Sequence, residues 1–389
     1  MTELKVDNIT NLAGSGKPNL PVQPTVGNNA AISTLNTHSY TSSATEPSSP
    51  KNGALWWDSA NDKVMVYING EFKEIELNAS SSSGTGIWYG DRGLYFGGST
   101  GSNNPDDQIE QINITSAGNA TDFGNLTTKK KAVSQGASDG STGLMIAGSQ
   151  DNYLGDGVYW VNNIDKVTTS TAANATDFGD TTAVMRYIGA NSNGSRCTYG
   201  GGAYGSDAKS NVIEYVTVAT PGNGTDFGDL TETIEIPVFV GDATRGVRGG
   251  GQLASGNSNV LDYWTIDTPG NATDFGDLTI ARWAGNAGCS SAAGRGLFAG
   301  GYTGSVTNVI DYITISSTGN ATDFGDLLGT AYNVSGTNNA TIGVFFGGWA
   351  GGRSDVIQKV TIATTGNATD FGDLSTGRHQ GGALAGAAS

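Results

Sequence analysis

The sequence predicts an all-β protein: a six-bladed β-propeller closed by the C-terminal strand, preceded by an extended N-terminal arm and a small β-meander. Asp-Phe-Gly recurs six times, at Phe123, Phe178, Phe227, Phe275, Phe324 and Phe371, with gaps of 55, 49, 48, 49 and 47 residues. Periods near 50 residues mark repeat architectures. Each period holds four short runs of strand-forming residues between Gly- and Asn-rich turns, and none has a 3.6-residue periodicity. Four-stranded antiparallel units repeated radially make a propeller.

Residues 1–53 are rich in Ser, Thr, Asn and Pro and read as an extended arm, too poor in apolar side chains to bury a core alone. Residues 54–77 read as a meander with strands at 54–58, 64–68 and 72–75. Its turns fall at Asn61-Asp62 and at Asn69-Gly70, the strongest short hairpin signal. Residues 78–86, Asn-Ala-Ser-Ser-Ser-Ser-Gly-Thr-Gly, read as a flexible linker, which places the propeller at 87–389.

The fifth repeat shows the unit most plainly. Arg282 opens a small-residue strand, residues 296–301 form a second strand ending in a Gly pair, and residues 308–315 alternate as a half-buried strand should. The unit closes on Asp323-Phe324-Gly325-Asp326-Leu327. The repeat region opens at Trp88 on a second strand, and residues 378–386 read as a first strand with nothing after it, so the two are expected to share a sheet and remove an exposed edge. Small first-strand residues suit the axis, where the sheets converge. The Phe of each Asp-Phe-Gly is expected between blades, with Asp and Asn capping turn amides and Gly at positive φ. Third strands are expected to begin near Ile109, Val158, Val212, Val260, Val309 and Val356, after variable loops at 99–108, 149–157, 203–211, 252–259, 302–308 and 349–355.

The net charge of −16 and pI near 4.4 argue against a nucleic-acid partner. Lys129, Lys130 and Lys131 read as a solvated turn. Cys197 and Cys289 lie in different repeats and are expected as unpaired thiols. The N-terminus has no apolar signal region and no run is long enough to span a membrane, so synthesis in a cytoplasm is expected. The sequons at Asn271, Asn320 and Asn367 read as turn residues.

No catalytic constellation is visible. The two histidines are His38, in the arm, and His379, in the closing strand, and both read as structural or incidental. No His and Cys spacing fits a metal site. Asp122, Asp177, Asp226, Asp274, Asp323 and Asp370 recur in every repeat, most with a second Asp three residues on (Asn125 in repeat 1). That regularity points to turn capping rather than calcium, and the alternating ligands of a calcium loop are missing. Residues 246–251 lack the Lys-Ser/Thr of a phosphate loop. No cofactor is expected. Variable loops on a rigid scaffold often carry recognition. Tyr153, Tyr204, Tyr302 and Trp349 in the loops between second and third strands are the binding candidates, able to stack on sugar rings or to pack on their own blade.

The order of a leading Arg, a small-residue strand, a strand ending Gly-Gly, a Tyr-containing strand and an aromatic resembles the kelch repeat over residues 87–389. Phe stands where kelch repeats usually carry Trp, and Ile234 and Ala331 replace the leading Arg in repeats 4 and 6. The chain carries neither the arginine cluster and Asp boxes of six-bladed sialidases nor the Tyr, Cys and His copper ligands of kelch-type oxidases. The Asn-Ala-Thr-Asp-Phe-Gly-Asp-Leu units resemble those of tailed-phage structural proteins, especially marine ones. Residues 4–19 and 50–75, with Trp56-Trp57-Asp58 and Asn69-Gly70, resemble the opening of phage appendage proteins. The resemblance implies a non-enzymatic virion component of tail-fibre type, made in the host cytoplasm. Residues 1–77 would contact other virion proteins, a homo-oligomer is expected in the particle, and the propeller would be displayed for host-surface or virion contacts. A glycan-binding lectin, a capsid decoration protein and, less favoured, a polysaccharide depolymerase are the alternatives.

Overall fold

In the computed structural model the described residues are 90–387, less 102–103, 134, 152–157, 206–207, 284–286, and 291–293. Before residue 90 they are 25–26, 30–31, 41–43, 45, 47–50, 54–58, 63–68 and 71–74. They contain no helix. The chain divides into two compact units, Met1–Ser81 and Ser82–Ser389.

In the first unit, Leu55–Asp58, Lys63–Ile68 and Glu71–Glu74 form an antiparallel meander, with Ile68 opposite Glu71. Trp56 and Val66 are buried, and Phe72 meets the rings of Trp56 and Tyr67 edge-on at 5.2 and 5.1 Å. The arm contributes structure of its own. Thr41–Ser43 adds a parallel strand beside Trp56–Asp58, and Thr25–Val26 pairs with Ala30–Ala31.

The second unit is a β-propeller of blade-like antiparallel sheets. Repeats 4, 5 and 6 form separate four-stranded sheets; that of repeat 5 runs Gly288–Ser290, Arg295–Tyr302, Val306–Thr314, Thr322–Asp326. In repeat 1, Thr121–Lys130, Asn104–Asn113 and Arg92–Phe96 are followed across the sheet by Gly382–Gly386, with Leu384 opposite Leu94. Repeats 2 and 3 share one sheet, because the two-residue strand Ala203–Tyr204 pairs with Met185–Arg186 on one side and with Ala208–Lys209 on the other.

The first strands are short and buried on both faces, which small side chains permit. Neighbouring first strands are joined by side chains: Ser290 Oγ accepts from Gly241 N–H at 3.0 Å, and Ser290 N–H donates to Asn338 Oδ1 at 2.8 Å. Each Asp-Phe-Gly phenylalanine is buried between its own sheet and the next. Phe275 packs with Phe298, Ile313 and Ile315 of repeat 5, and Phe371 with Ile112, Ile114 and Ala383 of the sheet of repeat 1.

The glycine after that Phe lets the next repeat come close. Gly276 has φ +146°, and a Cβ there would lie 2.5 Å from the Gly319 carbonyl oxygen. Across this contact Asn320 Oδ1 accepts from Asp277 N–H at 3.1 Å, and Ala321 N–H donates to the Asp277 carbonyl at 2.7 Å. The same clamp joins repeat 6 to repeat 1, where Asp373 N–H donates to Asn119 Oδ1 at 3.1 Å.

Several expectations need correction. The third strands start earlier, at Asn104, Ala208, Gly256 and Val306, so much of the expected variable loops is hairpin extension; Leu253 pairs with Gly256 and Tyr302 with Val306. A rigid hairpin satisfies backbone groups that an irregular loop would leave to water. The amide capping is done by Asn. The carboxylates of Asp122, Asp177, Asp226, Asp274, Asp323 and Asp370 are exposed and receive no hydrogen bond from the described residues. Lys130 is fully buried at the end of a strand rather than in a solvated turn.

Two stability changes follow. Asn320→Ala removes one cross-repeat acceptor and is expected to cost about 1 kcal/mol in urea unfolding. Leu384→Ala hollows the contact of the C-terminal strand with Leu94 and Phe96 and is expected to cost about 3 kcal/mol, read as a shift in the urea midpoint at unchanged slope.

Candidate functional site

The third strands carry a set of buried polar groups at equivalent positions: Glu110, Asp165, Glu214, Asp262, Asp311 and, in repeat 6, Gln358. A group from the preceding repeat donates to each. Thr127, Thr231 and Thr279 hydroxyls reach Asp165, Asp262 and Asp311 at 2.5, 2.5 and 2.6 Å, and Leu328 N–H reaches Gln358 Oε1 at 2.7 Å. Burying a carboxylate is costly unless it is paired. The leading position of a repeat supplies the pair: Lys130 to Asp165 at 2.9 Å, Arg282 to Asp311 at 3.0 Å, and Arg378 to Glu110.

Repeats 3 and 4 carry Met185 and Ile234 at the leading position, and there the second strand supplies the donor. Tyr199 OH donates to Glu214 at 2.9 Å, and Arg248 pairs with Asp262 at 2.6 Å. Repeat 6 has Ala331 and Phe345 at those two positions, and its third strand carries the neutral Gln358. Burial lowers the Lys130 and Arg282 pKa values, opposed by Asp165 and Asp311 respectively.

The residue after the leading position enters the next sheet and bridges to the end of that repeat's second strand. The bridged pairs are Ser99 with His379, Lys131 with Ser149, Arg186 with Ala203, Glu235 with Gln252, Trp283 with Tyr302, and Tyr332 with Trp349. Two consecutive junctions are therefore aromatic. Trp283 lies 5.4 Å from Tyr302 and 5.0 Å from Tyr332, Tyr302 lies 6.2 Å from Tyr332, and Trp349 lies 5.2 Å from His379 with the Arg353 guanidinium 5.3 Å from its ring centroid. All four aromatic side chains are half-buried. Burial, with the neighbouring Tyr302, raises the Tyr332 pKa.

Of the expected binding residues, Tyr302 and Trp349 belong to this strip. Tyr204 packs on the core between repeats 2 and 3, and Tyr153 lies outside the described residues. Sequence pattern alone passes over Trp283 and Tyr332, because each follows a leading position in what reads as a small-residue strand. Their shared offset after Arg282 and Ala331 was the available signal.

His38 also lies outside the described residues. His379 is buried, and burial, with Arg353 and then Lys131 adding to it against a backbone hydrogen bond at Ser99, lowers its pKa to about 4. Cys197 and Cys289 are buried, unpaired thiols, and burial raises their pKa values.

Along the axis, first strands of all repeats line a cavity of about 70 Å³ that includes Ser138, Asn191, Ser290 and Asn338. That is far below the several hundred Å³ of ordinary ligand pockets. Among the described residues, no three His, Cys, Asp or Glu side chains gather where they could hold a metal ion, and no helix is long and apolar enough to cross a membrane. No protein-family model matches the chain, and no curated protein matches it.

Gln358→Glu is expected to place an unpaired carboxylate beneath repeat 6. Its pKa would be raised above the ordinary Glu value near 4.3, so the cost grows as pH rises past that value. A loss of about 3 kcal/mol at pH 8, largely relieved at pH 4.5, would be read from thermal melts. For His379, a folded pKa of about 4 against an unfolded value near 6.5 means that the unfolded chain binds the extra proton between them. The contribution is intact above pH 6.5 and lost as pH falls toward 4. Melts of His379→Gln should be flatter than wild type across that window.

Proposed function

We propose that this chain is a non-enzymatic structural component of a tailed-phage virion. In this reading a six-bladed propeller is displayed on an N-terminal part that contacts other virion proteins. The observation that carries the display reading is the set of equivalent cross-repeat clamps, including the one from Asp373 back to Asn119, which makes a rigid scaffold.

Support for six blades comes from the sheet topology. The shared sheet of repeats 2 and 3 resolves into two four-stranded runs linked only through Ala203–Tyr204. The first strands also neighbour one another in a cycle from Ala137–Ser138 round to Gly382–Gly386. The virion assignment rests on the resemblance of residues 4–19, residues 50–75 and the repeat units to phage appendage proteins. The expected homo-oligomer would form through residues 1–77, where an arm with few apolar side chains of its own buries them against copies of itself.

Immunogold electron microscopy of purified particles, with antibody against residues 87–389, tests this. Label at the distal tail or its fibres is expected. Label over the head would replace the tail assignment with capsid decoration. No label, with the protein also missing from the particle proteome, would overturn the virion reading.

A further inference from the structure

The junction residues are an internal control on what the fold requires. Backbone bridges at this position are made by Lys131 with Ser149 and Glu235 with Gln252, without any ring. The aromatic side chains at Trp283, Tyr302, Tyr332 and Trp349 are therefore not needed to close a junction. They are concentrated at two adjacent junctions, and ring contacts join Trp283, Tyr302 and Tyr332.

Their polar atoms are also unlike those of the core aromatics. Trp264 Nε1–H donates to Thr198 Oγ1 at 3.1 Å and Tyr199 OH to Glu214 at 2.9 Å. The indole N–H groups of Trp283 and Trp349 and the hydroxyls of Tyr302 and Tyr332 have no hydrogen-bond partner among the described residues, and none is among the buried unsatisfied atoms. They face solvent. Contiguous half-exposed rings on a soluble domain mark an interaction site, and rings with an apolar face and a wet polar edge suit a ligand that is itself amphipathic.

The geometry points to a binding platform for a neutral oligosaccharide along Trp283, Tyr302, Tyr332 and Trp349, with Arg353 at one end. The C–H faces of pyranose rings would lie on the aromatic rings, and their hydroxyls would accept from the indole N–H groups and exchange hydrogen bonds with the phenols. A net charge of −16 disfavours a nucleic-acid strand, the other common partner of stacked aromatics. The proposal names a ligand class for the displayed propeller and rests on the reading of that propeller as a binding scaffold.

The test is direct binding by the full chain, using immobilised hexamers of cello-, laminari-, manno- and galacto-oligosaccharides, followed by tryptophan-fluorescence titration with whichever binds. Saturable binding to at least one hexamer is expected, weakened at least tenfold by Trp283→Ala and by Trp349→Ala. The double variant Tyr302→Phe, Tyr332→Phe keeps the rings and removes only the hydroxyls. It should weaken binding severalfold at an unchanged melting temperature, which guards against a packing defect. Gln252→Ala, at the junction position equivalent to Tyr302, should bind as wild type.

No saturable binding to any hexamer overturns the platform, as does binding that survives all the aromatic variants. Capture of an oligoproline peptide or of single-stranded DNA in place of the sugars overturns it as well. Particle labelling separates the two readings. Label without sugar binding removes the platform alone, and sugar binding by a protein absent from particles removes the virion assignment alone.

Discussion

The architecture depends on a carboxylate that cannot be left alone. Each third strand buries one polar side chain at this position, and in five repeats it is an acid. A charge in that setting needs a donor of matching geometry, and the donor comes from whichever position has room for it. It is the leading residue in repeats 1, 2 and 5 and the second strand in repeats 3 and 4. Where neither position offers one, the acid has become Gln358. Threonines from the preceding repeat complete the coordination of Asp165, Asp262 and Asp311, so the requirement for pairing also locks one sheet to the next.

A second set of contacts works at the outer edge. The turn before each Asp-Phe-Gly supplies an Asn that caps an amide of the preceding repeat, and the Gly accepts a backbone approach that a side chain would block. Polar pairs and clamps act on the same interface, and Phe275 or its counterpart packs its apolar part. The sheets are thus held by chemistry repeated at every junction, and the junction surfaces are free to differ. The Trp283 to Trp349 strip occupies that freedom.

Much of this was legible in the sequence. The period, the four strands per repeat, the burial of Phe123 and its equivalents, and the positive φ of the following glycine follow from local pattern and steric rules. The buried acids were not legible. Asp311 between Ile310 and Tyr312 reads as the solvent side of an alternating strand, and alternation carries no information about a partner such as Arg282 that arrives from another sheet. Lys130 is illegible for the same reason, since a run of three lysines reads as solvated until Asp165 is placed beside the middle one. Tyr204 and Tyr302 occupy similar sequence settings, yet one packs on a core and the other joins an aromatic strip. Only the neighbours supplied by other repeats distinguish them.

The pairing of Arg92–Phe96 with Gly382–Gly386 also sets an order of events during synthesis. Arg378 and Gly97 approach each other across 281 residues of chain. At ribosomal rates of about 5–20 residues per second, the first sheet waits roughly 15–60 s for its last strand. Until then its edge beside Leu94 is an open template for any strand within reach, including the same edge on a neighbouring nascent chain. The seam between these two strands is therefore also the place where crowded synthesis exposes the molecule to mispairing.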